Sequence, residues 1–313
     1  MAWMEITVRT APDSVEETAA MLTAAGFAEL MIEDQTEFEV FLEENRAYWD
    51  YIDEKLQRKL QGLSQIKLYL EDLEEDRLAR LRKLAGEKNL DVTVETLPET
   101  DWENSWQDNY PPVEVGERFV VLPYWLAENY EGSRLPVILD PGLTFGTGAH
   151  PSTQMVMEEM EKRICPGSRC LDLGSGSGIL SITALRLGAK SAVGVDIDPK
   201  AEDIAKENAA YNGIGAPAFT AYTGDVTADR GLMTRLAADS YDVVLVNIVA
   251  DVIIHLAPYL PSFLGADSTL ICSGILDTRL AEVCDALAAA GLAVTGIREK
   301  EDWRCVTAQR RKQ

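Results

Sequence analysis

The glycine-rich stretch at residues 170–178, C-L-D-L-G-S-G-S-G, has the composition of a ligand-binding turn. Its first residues predict a buried strand, and residues 179–187 predict a helix. Gly174, Gly176 and Gly178 lack a Cβ atom, so the backbone can turn tightly and a ligand can approach it closely. The free N–H groups at the start of the helix would point at that ligand. The stretch therefore predicts a cradle for a nucleotide-like cofactor.

Polar side chains stand where three later predicted strands end. Asp196 follows V-G-V, and its carboxylate can accept hydrogen bonds from both hydroxyls of a ribose. Asp225 comes after the next strand, where it can accept from an adenine amino group. Asn247 ends the strand after that and is either a site residue or a cap for the following helix. Open α/β sheets bind ligands at the carboxyl ends of their strands, so we expect these side chains to surround the cradle.

A loop rich in glycine and proline, residues 140–153, precedes a predicted helix at 154–164. Long glycine-rich loops beside a helix start are often functional. Ser152 or Thr153 is expected to cap the helix. His150 has two open interpretations: it contacts cofactor or substrate, or it only holds the loop. The residues of this loop expected to line the pocket are Phe145 and Thr147.

A dinucleotide is the obvious rival ligand, because nicotinamide dehydrogenases carry G-x-G-x-x-G after the first strand. Here the position of the third glycine holds Ile179. The spacing G-x-G-x-G therefore argues against a dinucleotide dehydrogenase.

The order of predicted elements divides the chain into two domains and a linker. Residues 1–97 alternate as strand, helix, two strands, helix and strand, with one extra helix, which is the ferredoxin-like α+β pattern. This domain has no glycine-rich cradle, so we expect it to recognise a macromolecule. Residues 98–117 predict a linker helix. The aromatic residues whose spacing of four places them on one face of that helix are Trp102, Trp106 and Tyr110.

Residues 118–313 predict the second, catalytic domain. It opens with a hairpin of strands at 118–122 and 137–139. From residue 169 onward strands and helices alternate, which predicts a parallel sheet with helices on both faces. Two terminal strands complete a seven-stranded, Rossmann-like α/β sheet in which the seventh strand is antiparallel.

The net charge of −23 makes direct nucleic-acid binding unfavourable, because phosphate backbones would be repelled. The charge is concentrated: residues 1–50 hold 12 acidic and 2 basic side chains. A basic protein would be attracted to such a surface, while solubility alone is the plainer explanation of the acidity. Both interpretations remain open at the level of composition.

Five cysteines without a C-x-x-C pair, and no basic and apolar N-terminal leader, predict reduced thiols in the cytoplasm. Two histidines far apart in sequence make a structural metal site an unfavourable interpretation. The longest apolar stretch is too short and too polar to span a bilayer, so no membrane association is expected. Nothing in the sequence demands a dimer, and we expect a monomer.

Residues 150–313 contain, in order, the motifs D-L-G-S-G-S-G, V-D-I-D-P, G-D-V and V-N-I. Through these motifs, this part of the chain resembles the class I S-adenosyl-L-methionine-dependent methyltransferases. A narrower resemblance covers the whole chain. The loop D-P-G-L-T-F-G-T-G-A-H-P-S-T, the segments N-I-V-A and S-G-I-L, and the tryptophan-containing linker are similar to the ribosomal protein methyltransferase family of bacteria.

This resemblance implies a protein-lysine N-methyltransferase that uses S-adenosyl-L-methionine. The expected substrate is large-subunit ribosomal protein eleven, a basic protein, methylated on lysine side chains and on its N-terminal amine. The resemblance puts cofactor contacts on Thr153, Gly174, Asp196 and Asn247. The glycine turn holds no lysine, which agrees with a cofactor that has no phosphate. Asn247 is also the best candidate to accept hydrogen bonds from the reacting amine, and no general base is evident.

Two other functions compete with this one. The same scaffold could methylate a small molecule or another protein, although a separate N-terminal domain argues against a small substrate. A cofactor-binding scaffold without activity is a different class of function. The presence of the glycine turn, Asp196 and Asn247 together argues against it.

Overall fold

The computed structural model describes residues 3–11, 14–27, 30–34, 64–71, 74–88, 90–97, 110–141 and 147–311. The chain divides into two compact units, Met1–Asn109 and Tyr110–Gln313. Two elements that the sequence pattern of residues 1–97 predicts, a strand at 37–42 and a helix at 46–60, lie outside the described residues. Trp102 and Trp106 of the predicted linker helix lie outside them as well. Within the described part, no helix combines the length and apolar character needed to cross a membrane.

The described part of the first unit consists of strands and two connecting helices. These elements are β1 (Trp3–Arg9), α1 (Val15–Ala24), β2 (Met31–Asp34), β3 (Ser64–Glu71), α2 (Glu75–Lys88) and β4 (Asp91–Leu97). The strands form an antiparallel sheet with the order β2-β3-β1-β4, and the helices follow β1 and β3. This arrangement is the ferredoxin-like fold that the sequence predicts.

The core of the first unit follows from alternation along its strands. Every second residue of β1 and β3 is buried, because successive side chains of a strand point to opposite faces. These residues pack against apolar side chains of α1 and α2. Gly26, with φ +93°, ends α1 and donates its N–H to the carbonyl of Thr23, as is usual for a glycine at a helix end.

A small three-stranded sheet opens the second unit and corrects two predictions. It contains β5 (Val113–Val115), β6 (Phe119–Pro123) and β7 (Leu135–Leu139). The predicted hairpin is wrong, because β6 and β7 pair in parallel. A parallel pair needs a crossover of roughly a dozen residues, and the segment after β6, which begins with a 3₁₀ helix at Tyr124–Asn129, supplies it. The antiparallel partner of β6 is β5, which the sequence pattern places in the linker.

The second unit is built on a seven-stranded sheet. Its strands are β8 (Arg169–Leu173), β9 (Ser191–Asp196), β10 (Phe219–Thr223), β11 (Tyr241–Asn247), β12 (Leu264–Leu276), β13 (Leu292–Lys300) and β14 (Trp303–Arg310). They lie in the order β10-β9-β8-β11-β12-β14-β13. Strands β8 to β12 pair in parallel, and β14 is antiparallel to both of its neighbours, which confirms the predicted seven-stranded sheet with an antiparallel last strand.

Helices cover this sheet, and short 3₁₀ helices flank β12. The helices are α3 (Pro151–Arg163), α4 (Ile179–Arg186), α5 (Pro199–Tyr211), α6 (Arg230–Ala237), α7 (Ala250–Leu256) and α8 (Leu280–Ala289). The central strand β11 is apolar on both faces, and its residues 243–246 are at most 2% exposed. Burial on both faces is typical of a parallel sheet between helix layers. The core therefore lies around β11, next to the carboxyl ends of the strands that carry the predicted site.

Gly274 lies where the register of β12 against β14 shifts, close to the chain that leaves β11. Its φ is +82°, and the pairing of β12 with β14 shifts between Cys272 and Ile275. A Cβ atom on Gly274 would lie 2.4 Å from the carbonyl oxygen of Ile248. Glycine is thus needed here both for its backbone angle and for the close approach of the chain that leaves β11.

We predict that Gly274→Ala lowers the free energy of unfolding by roughly 1–3 kcal/mol more than Gly291→Ala does. Gly291 has nearly the same φ, +81°, but no described atom lies within 4 Å of where its Cβ atom would stand, so it isolates the backbone strain from the steric clash. Urea denaturation of the full-length chain, followed by circular dichroism, measures both. Equal losses would show that the Ile248 carbonyl can move away without cost.

Candidate active site

The glycine turn after β8 is held against the end of β9. Gly174, Gly176 and Gly178 have φ values of +77°, +47° and +78°, all in the left-handed region. The N–H groups of Gly174 and Ser175 donate to the carbonyl of Val195 at 2.8 and 3.1 Å. Side chains other than glycine rarely adopt these backbone angles, so the sequence of alternate glycines determines the shape of the turn.

Two of these glycines also allow neighbouring elements to pack closely. A Cβ atom on Gly174 would lie 2.3 Å from the Cγ2 atom of Ile248, the residue after β11. A Cβ atom on Gly178 would lie 3.0 Å from the Cβ atom of Ala205 in α5. The turn is therefore shaped by packing on both sides, and not only by the needs of a ligand.

Asp196, at the end of β9, is bonded to the glycine turn. Its Oδ2 atom accepts from the N–H of Gly176 at 2.8 Å, and its Oδ1 atom accepts from the N–H of Asp198 at 3.0 Å. Asp198 caps α5 by accepting from the N–H of Lys200. A carboxylate oxygen can accept two hydrogen bonds, so Asp196 retains the capacity to accept from ligand hydroxyls.

Asp172 lies beneath the turn and is fully buried. Its Oδ2 atom accepts from the N–H and the hydroxyl of Ser181 at 3.1 and 2.8 Å, which satisfies the first turn of α4. Its Oδ1 atom has no hydrogen-bond partner among the described residues. Burial raises the pKa of Asp172 to about 7; the bonds from Ser181 lower it, and the charge of Asp196 adds to the rise.

In the sequence, Asp172 stands out only as the residue that precedes the glycines. An acidic residue inside an otherwise apolar strand, two positions before the first glycine of the turn, is the signal that would have identified it as a buried carboxyl at the site.

Asn247 and Thr153 are brought together from positions 94 residues apart. The Nδ2 atom of Asn247 donates to the Oγ1 atom of Thr153 at 3.1 Å, and the Thr153 side chain is buried. The Oδ1 atom of Asn247 is buried and has no partner within the described part of the chain. The alternative role of a helix cap is wrong, because Val249 occupies the cap position of α7.

His150 caps α3, in place of Ser152 or Thr153. Its Nδ1 atom accepts from the N–H of Ser152 at 3.3 Å and lies 2.7 Å from the Ser152 hydroxyl. The cap moves back to His150 because Pro151 is the first helical residue and has no N–H to be capped. Burial lowers the pKa of His150, against an opposing effect of Glu301, so a neutral ring that can accept is favoured. The ring also contacts Trp303 edge-on, with centroids 4.6 Å apart.

Charged residues anchor α3 to the edge of the sheet. Glu159, which is buried, pairs with Lys162 and Arg163 on its own helix and with Arg298 of β13 at 3.0 Å. Burial raises the pKa of Glu159, but the bonds from Lys162 and Arg298 and the charge of Arg163 outweigh it, so its pKa is lowered. These contacts hold the helix whose first turn carries Thr153.

Three predicted site residues remain to be placed, namely Phe145, Thr147 and Asp225. Phe145 lies outside the described residues. Thr147 is half-buried, and the next residue, Gly148, packs so closely on Val121 of β6 that a Cβ atom would lie 2.7 Å from Val121 Cγ2. Asp225 is exposed after β10, and its Oδ1 atom accepts from the N–H and hydroxyl of Thr227, both at 2.7 Å. These bonds hold the pKa of Asp225 below its usual value.

The site thus joins residues from four elements at the carboxyl edge of the sheet. Direct bonds link Gly176 to Asp196 and Thr153 to Asn247. Ile248, the residue after Asn247, packs against both Gly174 of the turn and Gly274 of β12. In the described part of the chain no group of three or more His, Cys, Asp or Glu side chains is arranged to hold a metal ion.

The fold and the site together define the class of protein. A sheet in this order, with a glycine turn after its first strand and an acid after its second, is the Rossmann-like fold of methyltransferases. A solved structure of the same fold is the ribosomal protein L11 methylase from Lactobacillus delbrueckii subsp. bulgaricus. It is 30% identical, has a TM-score of 0.58, and the match covers 65% of this chain and 100% of that one.

Sequence comparison identifies the family. The family described as "Ribosomal protein L11 methyltransferase (PrmA)" matches residues 2–311. Curated relatives named ribosomal protein L11 methyltransferase include one from Alkaliphilus oremlandii, 34% identical over 323 residues with 99% of both chains covered. Another, from Pelotomaculum thermopropionicum, is 35% identical over 316 residues with the same coverage. The chain belongs to the ribosomal protein L11 methyltransferase family and is a protein methyltransferase.

We predict that Asp172→Asn changes the pH dependence of stability. The pKa of Asp172 is about 7 in the folded chain, against an ordinary value of 3.8. A carboxyl with a raised pKa stabilises the fold fully below pH 4, and that contribution is lost as pH rises to about 7. An amide at this position cannot titrate. As pH rises from 4 to 7, the free energy of unfolding of the variant should therefore increase relative to that of the natural chain, by up to about 1.4 kcal/mol per pH unit. Above pH 7 the difference should stay constant.

Thermal unfolding of both chains at half-unit steps from pH 5 to pH 8 measures this difference. Ser181→Ala serves as the control, because removing the Ser181 hydroxyl bond should raise the pKa of Asp172 further and move the window to higher pH. Stability curves of the natural chain and Asp172→Asn that run parallel from pH 5 to pH 8 would contradict the prediction.

Proposed function

We propose that this enzyme transfers methyl groups from S-adenosylmethionine to amino groups of ribosomal protein L11. The observation that carries the proposal is the buried carbonyl oxygen of the Asn247 side chain, which has no partner among the described residues. The next residue, Ile248, packs directly on Gly174 of the glycine turn. An acceptor of this kind can hold an amine so that its lone pair faces a methyl donor. The names of the curated relatives support L11 as the substrate.

The residues around the turn fit S-adenosylmethionine. Gly174, Gly176 and Gly178 would admit the methionine part, and Asp196 would accept from the ribose hydroxyls. Positive charges of the cofactor above the turn would lower the raised pKa of Asp172 and favour its ionised form. The residues that would complete the cofactor pocket are Asp225 at the adenine, Thr153 and Asn247 on the opposite side, and Phe145 and Thr147 on the loop.

When bound, the cofactor supplies a methyl group on a positively charged sulfur, ready for in-line displacement by a neutral amine. The protein must therefore favour the neutral form of the amine. At pH 7 a lysine side chain with its ordinary pKa costs about 4–5 kcal/mol to neutralise, and an α-amine costs about 1 kcal/mol. A dry site next to positive charge lowers the pKa of the amine and reduces that cost.

Asn247 orients the amine in this proposal. Its Nδ2 atom is committed to Thr153, so its amide plane is fixed with the Oδ1 atom left to accept from an amine N–H. His150 acts indirectly, since its cap holds the first turn of α3, where Thr153 lies. The proton released by the amine passes to water, because the described residues around Asn247 offer no evident general base.

Charge supports a basic protein as the partner. The enzyme carries a net charge of −23, which attracts a basic ribosomal protein and repels nucleic acid. In this proposal residues 1–97 recognise the substrate, residues 98–117 are the linker and residues 118–313 carry the catalysis. The enzyme acts as a monomer in the cytoplasm, where its five cysteines, all of them free thiols, stay reduced.

We predict that purified enzyme transfers label from methyl-labelled S-adenosylmethionine to L11, on lysine side chains and the N-terminal amine. The KM for L11 should rise with salt, because opposite net charges draw the two proteins together. Scintillation counting and mass spectrometry of the labelled protein measure both effects. No label on L11, with cofactor binding intact, would overturn the substrate and leave the cofactor assignment standing.

We predict that Asn247→Ala lowers kcat by about 100-fold, because the amine loses the acceptor that orients it. Thr153→Val should lower kcat by a smaller factor, since it frees the Asn247 amide to rotate. Thr153→Ser, which keeps the hydroxyl, is the matched control and should stay close to the natural enzyme. Steady-state kinetics with L11 at saturating cofactor measure the series. An unchanged kcat in Asn247→Ala would remove Asn247 from the reaction.

A further inference from the structure

Asn208 in α5 joins two segments that are far apart in sequence. Its Oδ1 atom accepts from the N–H of Asp140 at 2.8 Å, and its Nδ2 atom donates to the carbonyl of Ser177 at 2.8 Å. Asp140 is the first residue after β7, where the glycine-rich loop begins, and Ser177 lies in the glycine turn. The Asn208 side chain is fully buried, and its bond to Ser177 is buried as well, while the bond from Asp140 is partly buried.

Asn212, one helical turn later, also makes hydrogen bonds through both ends of its amide, but only to β7 and to α5 itself. Its Oδ1 atom accepts from the N–H of Ile138 at 3.0 Å, and its Nδ2 atom donates to the carbonyls of Ile138 and Asn208 at 2.7 and 2.8 Å. Its amide therefore pairs with both backbone groups of a β7 residue, as a neighbouring strand would. None of these bonds reaches the glycine turn.

The position of α5 against the turn is itself tightly set. Ala205, one turn before Asn208, lies so close to Gly178 that a Cβ atom there would be 3.0 Å away. Asn208 therefore lies in a fixed position relative to the turn, and from there it bonds both the turn and the start of the loop. A movement of either segment must break one of its two bonds or shift the other segment as well.

We propose that Asn208 is a positioning residue that couples the start of the loop after β7 to the glycine turn. This inference rests on the proposed function, in which the turn holds the cofactor and the loop leads to Thr153. Through Asn208, binding at the turn stabilises the backbone at Asp140, and a fixed Asp140 in turn keeps the turn in its binding shape. Coupling of this kind is reciprocal by thermodynamic necessity.

The test compares Asn208→Ala with Asn212→Ala in the full-length chain. Asn208→Ala should weaken binding of S-adenosylhomocysteine by about tenfold, within the range usual for coupled sites. Asn212→Ala also loses amide bonds to β7, and it should leave the dissociation constant within about twofold of the natural value. Isothermal titration calorimetry measures the affinity, and melting temperatures show how far each variant is destabilised.

Hydrogen exchange at the Asp140 amide gives a second readout, independent of activity. S-adenosylhomocysteine should slow this exchange in the natural chain and in Asn212→Ala, and not in Asn208→Ala. If Asn208→Ala does not fold, Asn208→Asp replaces it. That variant keeps an acceptor for Asp140 but places an oxygen against the Ser177 carbonyl, so it should weaken binding as well.

The outcomes separate this inference from the proposed function. If the natural chain binds S-adenosylhomocysteine and a folded Asn208 variant binds it equally well, the coupling is refuted and the cofactor stands. If Asn212→Ala weakens binding as much as Asn208→Ala, the effect is one of general packing and the inference is again refuted. If the natural chain does not bind S-adenosylhomocysteine, the proposed cofactor is wrong and the inference fails with it.

Discussion

The close approach of Ile248 to two glycines is the constraint on which the site depends. Its side chain occupies the space where Gly174 would carry a Cβ atom, and its carbonyl occupies the corresponding space at Gly274. Both glycines have left-handed φ values, so each is needed for its own turn as well as for this contact. Asn247 precedes Ile248 in the chain, and its location relative to the glycine turn follows from how Ile248 is held.

Polar groups at this edge of the sheet are buried at a cost that local bonds only partly offset. Asp172 receives two bonds from Ser181 but keeps one oxygen without a partner among the described residues, and Asn247 likewise keeps its carbonyl oxygen. Buried polar groups in proteins are nearly always satisfied, and these two unpartnered atoms belong to the neighbouring strands β8 and β11. The core around β11 supplies the stability that tolerates them.

Most of the fold could be predicted because it depends on local patterns. Strand and helix alternation predicted the order of the described elements in the first unit and of those from β8 onward in the second, and glycines at alternate positions predicted the turn after β8. Direction of pairing was harder: β6 and β7 looked like a hairpin because both are short and apolar, and only the crossover between them makes them parallel. The cap at His150 was missed because histidine is an uncommon cap and Pro151 conceals the helix start.

The site was predictable in its residue types and not in its connections. Position at the end of a strand pointed to Asp196 and Asn247, yet their bonds to Gly176 and Thr153 join residues far apart in sequence. Asn208 gave no signal, since an asparagine in the middle of a helix is ordinarily a solvent-facing residue. Contacts of this kind depend on how elements pack, which one sequence read by its periodicity does not contain.

The strand order at one edge of the sheet has a consequence for biosynthesis. β14 lies between β12 and β13, and among the described strands β13 pairs with β14 alone. Since a ribosome makes β13 before β14, the emerging β13 has no neighbour to join, and β12 keeps an open edge until β14 arrives between them. The seven-stranded sheet is therefore completed by the last of its strands to be made.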